Sequence, residues 1–514
     1  MSALPTLAPE ATTAGGYLLV LMLVLPLVGV FAALTLGGRN ARRVAMLAIP
    51  AGLVLAVMIG VELVQSDRTL VYLLGGWAPP LGIALRADGL SAVMLLTTTV
   101  VMLGVALFAR EEFNTPENVP EARAPFMFWT LLLAVWGALN AVFLAGDLFT
   151  LYVALELLTF AGVPLVSLEG RPETLQAALR YLLFALFGSV LYMLGAVLLY
   201  GAYGTLDIAL LAERVRPEAV SFVAAALMTT GLLAKTALFP FHLWLPPAHA
   251  GAPAAASAVL SALVVKGSWF LVVRLWFDVM PGVVTLSAAQ LLGALGTAAI
   301  VVGSVVALRQ ARLKLLVAYS TMAQIGYLFL MFPLAFDSAG SALVHGGALT
   351  GGFLQVISHA TAKAGMFMAA GLIYAALGHD RIADLAGVAR ARPVTVLAIA
   401  LCTPFLPLIA LAIKLNSRGP ILYRSIRLGT DGVVIKSMDK DFVLLGKDDR
   451  GQSGTEPERL DHADRFDHHD GDGRPGLHEQ THDHHQHDGR GRIAPGDGGR
   501  RAVAPGGARR RRTR

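Results

Sequence analysis

Twelve apolar runs of about twenty residues each constrain this chain more than anything else in it. They lie near 17–36, 44–65, 89–109, 126–145, 147–168, 177–203, 218–239, 254–277, 284–308, 314–334, 344–377 and 391–414. Roughly 20 helical residues cross about 30 Å of hydrocarbon, and a helix satisfies its own backbone there. The runs therefore predict an all-α, polytopic transmembrane helix bundle of about twelve helices. Composition agrees: over 514 residues, 55% are hydrophobic and only 15% charged, too apolar for a soluble domain of ordinary usage. The leader at 1–16 has no basic region and no clear cleavage site, so the first helix is read as retained. Cys402, the single cysteine, sits in an apolar run and reads as a small buried hydrophobe.

Orientation follows from the short loops. Those after predicted spans 1, 3, 5, 9 and 11 hold thirteen Lys and Arg, from Arg39 to Arg392, whereas the opposite loops hold Arg68, Arg86, Arg214 and Arg216. The positive-inside rule places the N-terminus outside, in a bacterial inner membrane.

Five ionisable residues fall inside the runs: Glu156, Lys235, Lys266, His359 and Lys363. A charge at that depth costs at least about 2.5–3.5 kcal/mol, so each marks a pathway, a partner or a mistaken span. The segment Phe239–Pro253 carries four prolines, which predicts a broken helix 7. Such breaks survive only when buried in protein or facing water. Lys235 lies four residues before Phe239, and Glu156 is the internal carboxylate available to pair with it. Desolvation disfavours a charged lysine and a carboxylate restores it, so the pair titrates as one coupled unit. Lys266 repeats the theme one helix later, while His359 and Lys363 at i, i+4 share a helix face. His242 and His249 in the break are candidate relay groups, because imidazole titrates near neutral pH. The competing readings are a snorkelling Lys266 or Lys235, a purely structural Glu156 pair, an ordinary loop between spans 7 and 8 in place of the break, and histidines that cap the break.

No Walker sequence, flavin or nicotinamide fingerprint or CxxC cluster is present, so no cofactor is read and the chain by itself does no electron chemistry. No metal site is read among the candidate residues.

The run Leu233-Ala-Lys-Thr-Ala-Leu-Phe-Pro-Phe-His-Leu-Trp-Leu-Pro-Pro-Ala-His-Ala-Gly-Ala-Pro253, continuing through Ser257 to Lys266-Gly267, closely resembles the antiporter-like subunits of proton-pumping NADH:quinone oxidoreductase (complex I) and of Mrp-type sodium/proton antiporters. Gly75-Gly-Trp77, Asp88-Gly-Leu-Ser91, Leu151-Tyr-Val-Ala-Leu-Glu156, Leu313 to Tyr327 and His359-Ala-Thr-Ala-Lys363 support it, over roughly 17–395. The Gly-Gly-Trp start looks most like the D-type subunit of the Mrp group. The resemblance implies that Glu156, Lys235, Lys266, His359 and Lys363 form a proton route. It also implies a heteromeric assembly with other membrane subunits of an Mrp-type, complex I or hydrogenase-like complex, with protons and sodium as the ions and no nucleic-acid partner.

Past 395 the pattern departs. The family's twelfth helix has a Gly-Pro-Pro-like break followed by a lysine or glutamate, which Val394–Lys414 lacks, and Lys414 at its end reads as snorkelling. Residues 396–446 form an atypical membrane-proximal segment, where Pro407–Gly432 resembles part of a bacterial polyprenyl-phosphate sugar-phosphate transferase. A membrane-anchored transferase and an inert truncated subunit are therefore the alternative functions, and a chimeric or frameshifted gene is an expectation to test. Residues 447–514 are rich in Gly, Asp, His and Arg and predict a disordered tail, including His482–His487 and Arg509–Arg512.

Overall fold

The computed structural model describes residues 11–385 except 116–118, 120, 338, 341 and 345, together with 427–428 and 434–435. The predicted twelfth span with Cys402 and Lys414, the rest of the 396–446 segment and the 447–514 tail lie outside the described residues.

Among the described residues, eleven helical segments are long and apolar enough to cross a membrane. They are span 1 (Ala14–Leu36), span 2 (Asn40–Ser66), span 3 (Gly89–Glu112), span 4 (Arg123–Leu144), span 5 (Leu148–Val166), span 6 (Pro172–Tyr203), span 7 (Ala219–Gly251), span 8 (Ala254–Val279), span 9 (Leu286–Leu308), span 10 (Leu313–Leu334) and span 11 (Gly347–Leu377). Each matches one of the first eleven apolar runs. Helix starts follow local chemistry: Asp88, Asp147, Asp207 and Thr285 accept hydrogen bonds from backbone N–H groups of the helices they open.

One element was not expected. Between spans 2 and 3, β1 (Leu70–Leu73) pairs antiparallel with β2 (Ala84–Ala87). Leu85 bridges to Ala145, Asp147 bridges to Asp207, and Arg86 forms a 2.9 Å ion pair with Asp207. The loops after spans 2, 4 and 6 thus share one end of the bundle. At the other end Arg312 pairs with Asp380, and Glu112 meets the backbone that opens span 8. Each span therefore runs from one end to the other.

Spans 1 and 2 present wide apolar faces, with Phe31 and Leu47 exposed, as lipid contact requires. Span 8 is the opposite: its most apolar window is entirely buried. Spans 6 and 7 touch backbone to backbone. A Cβ added at Gly188 would lie 2.5 Å from the Gly231 carbonyl oxygen, and one at Gly231 would lie 2.3 Å from that of Gly188. Small residues give transmembrane helices this close approach. Gly188→Leu is expected to separate the two spans and lower the yield of folded protein in detergent, measured by monodispersity; a wild-type profile would show the contact to be dispensable.

The chain divides into two compact units, Met1–Tyr423 and Arg424–Arg514. In the second, the described residues are β3 (Arg427–Leu428) and β4 (Val434–Ile435), paired antiparallel.

Candidate functional site

Lys235 lies near the middle of span 7 and is 6% exposed. Its Nζ is 3.3 Å from Glu156 Oε1 and donates to Thr159 Oγ1 at 2.9 Å. Ser189 of span 6 also donates to Glu156. The anticipated partnership between spans 5 and 7 is thus present, and two hydroxyls complete its hydrogen bonding. A buried ion pair needs such additional bonds, because Coulomb attraction alone seldom offsets desolvation.

The helix carrying Lys235 ends at Thr236, and Ala237 takes the left-handed conformation at φ 60°. Trp244 then donates to the Ala234 carbonyl, tying the far side of the break back to the helix end. The break is shorter than 239–253. A 3-10 turn at Phe241–Trp244 leads into a helix at Leu245–Gly251, with Pro246 and Pro247 in its first turn. Proline is tolerated there because N–H groups in that turn have no intrahelical partner. Irregular backbone is therefore confined to the turn after Thr236 and the Ala252–Pro253 link.

The two histidines of this segment separate. His242 is half-buried, stacks on Phe239 at 5.5 Å and is held to the Pro240 backbone. His249 is fully buried against Phe367 of span 11 at 4.7 Å, and both its ring nitrogens lack hydrogen-bond partners. The charges of Lys266, Lys314 and Lys363 all reach it.

Lys266 is 1% exposed, which removes the snorkelling reading. It follows a π-helical turn at Leu260–Val264 and donates to the Ser261 carbonyl. Turns of this kind release backbone acceptors and recur at functional positions. On span 11, Lys363 donates to Ser320 Oγ and, at 3.4 Å, to the Val317 carbonyl. His359, one turn away, is 3% exposed with both nitrogens unpartnered. Lys266 and Lys363 act on each other and on His359 electrostatically. Among the described residues, no carboxylate forms an ion pair with either lysine. Between Lys235 and span 8 lies a cavity of about 10 Å³ lined by Thr159, Tyr181, Lys235 and Ser268, the volume of about one water probe.

The arrangement is a row of proton-holding groups across spans 5, 7, 8 and 11, near mid-depth of each. One carboxylate neutralises its first lysine, and the rest is cationic or neutral. Such a row can pass protons and can sense a neighbour's charge. Among the described residues no cluster of His, Cys, Asp or Glu is placed to hold a metal.

Sequence reasoning missed the hydroxyls of Thr159, Ser189 and Ser320, because Ser and Thr are common in spans and nothing local distinguishes these. It also missed Arg274, near the end of span 8. Arg274 grips Asp88 at two 2.6 Å contacts, pairs with Asp278 at 2.7 Å and donates to Ser91 Oγ at 3.0 Å. Asp88 precedes span 3. Burial acts to raise its pKa, but the Arg274 hydrogen bonds and charge, with the Ser91 bonds, outweigh burial and hold it below the ordinary carboxylate range.

Residues 145–415 match the transmembrane family described as NADH:quinone oxidoreductase/Mrp antiporter. The chain is 34% identical over 346 residues to NADH-quinone oxidoreductase subunit N of Desulforudis audaxviator, an alignment covering 66% of this chain and 66% of that protein. It is 28% identical over 384 residues to the D-type subunit of the Na(+)/H(+) antiporter of Alkalihalophilus pseudofirmus, covering 73% of this chain and 74% of the relative. The solved Mrp complex from Dietzia sp. contains a chain of similar fold, with a TM-score of 0.67 at 26% identity, covering 78% of this chain and 71% of that one. The match includes the spans that carry all seven candidate residues, and it runs past 395 to residue 415. The chain belongs to the NADH:quinone oxidoreductase/Mrp antiporter transmembrane family.

Proposed function

We propose that this chain is a proton-translocating, cation/proton antiporter-like subunit of a multi-subunit membrane complex. The observation that carries this reading is the buried Glu156–Lys235 pair together with Lys266 and Lys363 buried at mid-depth of spans 8 and 11, neither of which pairs with a carboxylate among the described residues. A proton reaching Glu156 removes the charge that steadies Lys235. Lys235 then favours release, and the neighbouring lysines provide the next sites. Protons pass by Lys266 toward His359 and Lys363, with His249 as the relay on the side of span 11 and His242 a structural group at the break.

The functional unit in this reading is 17–395, with 1–16 a leader, 396–446 a separate membrane-proximal segment and 447–514 a tail. The basic loops put the N-terminus outside a bacterial inner membrane. Partners are other membrane subunits that supply the driving force, as in the Mrp and respiratory complexes to which its relatives belong, with protons and sodium as the ions. Glu156→Ala in the complete assembly is expected to abolish sodium or proton transport in everted vesicles. Transport at the wild-type rate would refute the reading.

A further inference from the structure

A large cavity, about 1350 Å³, opens at the end of the bundle that carries the basic loops, bounded by spans 3, 6, 10 and 11 and by the link between spans 7 and 8. Glu112, the last residue of span 3, is exposed to it. The same carboxylate reaches the interior: its two oxygens lie 3.3 Å from the successive backbone nitrogens of Ala254 and Ala255, which are buried. Lys314 of span 10, also lining the cavity, donates to the carbonyl of Ala252 two residues earlier. An acid and a base thus flank the Ala252–Pro253 link from opposite spans, one holding its N–H side and one its carbonyl side.

Immediately behind that link is His249, fully buried, with neither ring nitrogen hydrogen-bonded. An imidazole bonded to no other protein group leaves a ring nitrogen free to accept a proton. Its neighbours in charge are Lys314 at the cavity and Lys363 and Lys266 at mid-depth. The residue is thus within electrostatic reach of both the cavity lysine and the buried lysines.

We propose that Glu112 is the proton-uptake group of this route: its carboxylate takes a proton from cavity water and yields it inward, where His249 is the first buried base. On uptake the carboxylate becomes a neutral acid and the cavity keeps hydroxide; on release it is again a carboxylate and a neutral imidazole becomes imidazolium. Lys314 positions the link by its hydrogen bond to Ala252 and holds positive charge near the carboxylate. This assignment rests on the proposed proton route and adds its mouth.

The test uses the complete assembly in everted vesicles, with assembly checked by isolation of the intact complex. Glu112→Gln keeps an oxygen that can accept one N–H bond but cannot ionise, and is expected to slow transport by on the order of 100-fold. Glu112→Asp keeps the ionisable group and is expected to restore most of the rate with a shifted pH profile, a shift that a merely structural cap would not show. In a Cys402→Ser background, Glu112→Cys should react with a charged, membrane-impermeant thiol reagent added to everted vesicles and not to right-side-out ones. Wild-type transport by Glu112→Gln, or a Glu112→Cys thiol inaccessible in everted vesicles, overturns the assignment. If Lys235→Ala abolishes transport while Glu112→Gln does not alter it, the mouth is wrong and the buried route stands. If neither changes transport, the route itself falls.

Discussion

Lys235→Ala in the complete assembly abolishes ion transport in everted vesicles and lowers the stability of the bundle by about 3–5 kcal/mol. Both effects have one source. Lys235 is 6% exposed and supplies the charge opposite Glu156, whose side chain is 14% exposed. Removing the lysine leaves a buried carboxylate with the Ser189 hydroxyl but no cation. The double variant Glu156→Ala/Lys235→Ala removes both charges together, so part of the stability returns, while transport does not. Thermal unfolding in detergent reads the first quantity and vesicle assays the second. Restored transport in the double variant would show that the pair is structural.

Arg274→Met has the second largest expected effect, about 2–3 kcal/mol of stability, because it leaves the partly exposed Asp88 and Asp278 without the guanidinium they share. Arg274 ties the end of span 8 to the start of span 3, while Glu112 ties the end of span 3 to the start of span 8. The fully buried span that carries Lys266 is thus held at both ends by one lipid-crossing neighbour. Unfolding midpoints measured against pH check the charge origin. The folded pKa of Asp88 lies below its ordinary value of 3.8, so its contribution is complete above that value and fades as the pH falls through the folded one. The gap between wild type and Arg274→Met should therefore narrow in acid. A gap that persists unchanged at low pH would assign the loss to packing against Phe270 instead, over whose ring Arg274 lies at 4.9 Å.

Much of this architecture was legible from apolar run length. Eleven spans fall where the runs lie, because in a bilayer the hydrocarbon thickness, and not side-chain detail, sets helix length. The β1–β2 hairpin was not legible: Leu70–Leu73 is too short a signal beside long apolar helices, and its register depends on contacts with Ala145 and Asp207 far along the chain. The prolines correctly marked a break in span 7 but overstated its extent, since Pro246 and Pro247 occupy the first turn of a new helix.

In the site, charge was the readable part. Glu156 and Lys235 could be paired from sequence because one carboxylate and one lysine at the same depth have few alternatives. The hydroxyls that complete the pair, and the π turn that gives Lys266 its carbonyl partner, depend on which faces of the helices meet, and that is a tertiary fact. Glu112 and Lys314 carry no such signal, since nothing in their own segments shows that both converge on the link between spans 7 and 8.

Proton uptake by everted vesicles carrying the complete assembly, compared between wild type and Lys266→Met, tests the buried route most directly. Lys266 is 1% exposed and has no carboxylate partner among the described residues, so an apolar residue of similar length should pack in its place without stranding a charge. The route predicts an assembled, stable complex whose proton uptake is lost. An assembled complex that takes up protons at the wild-type rate would contradict it.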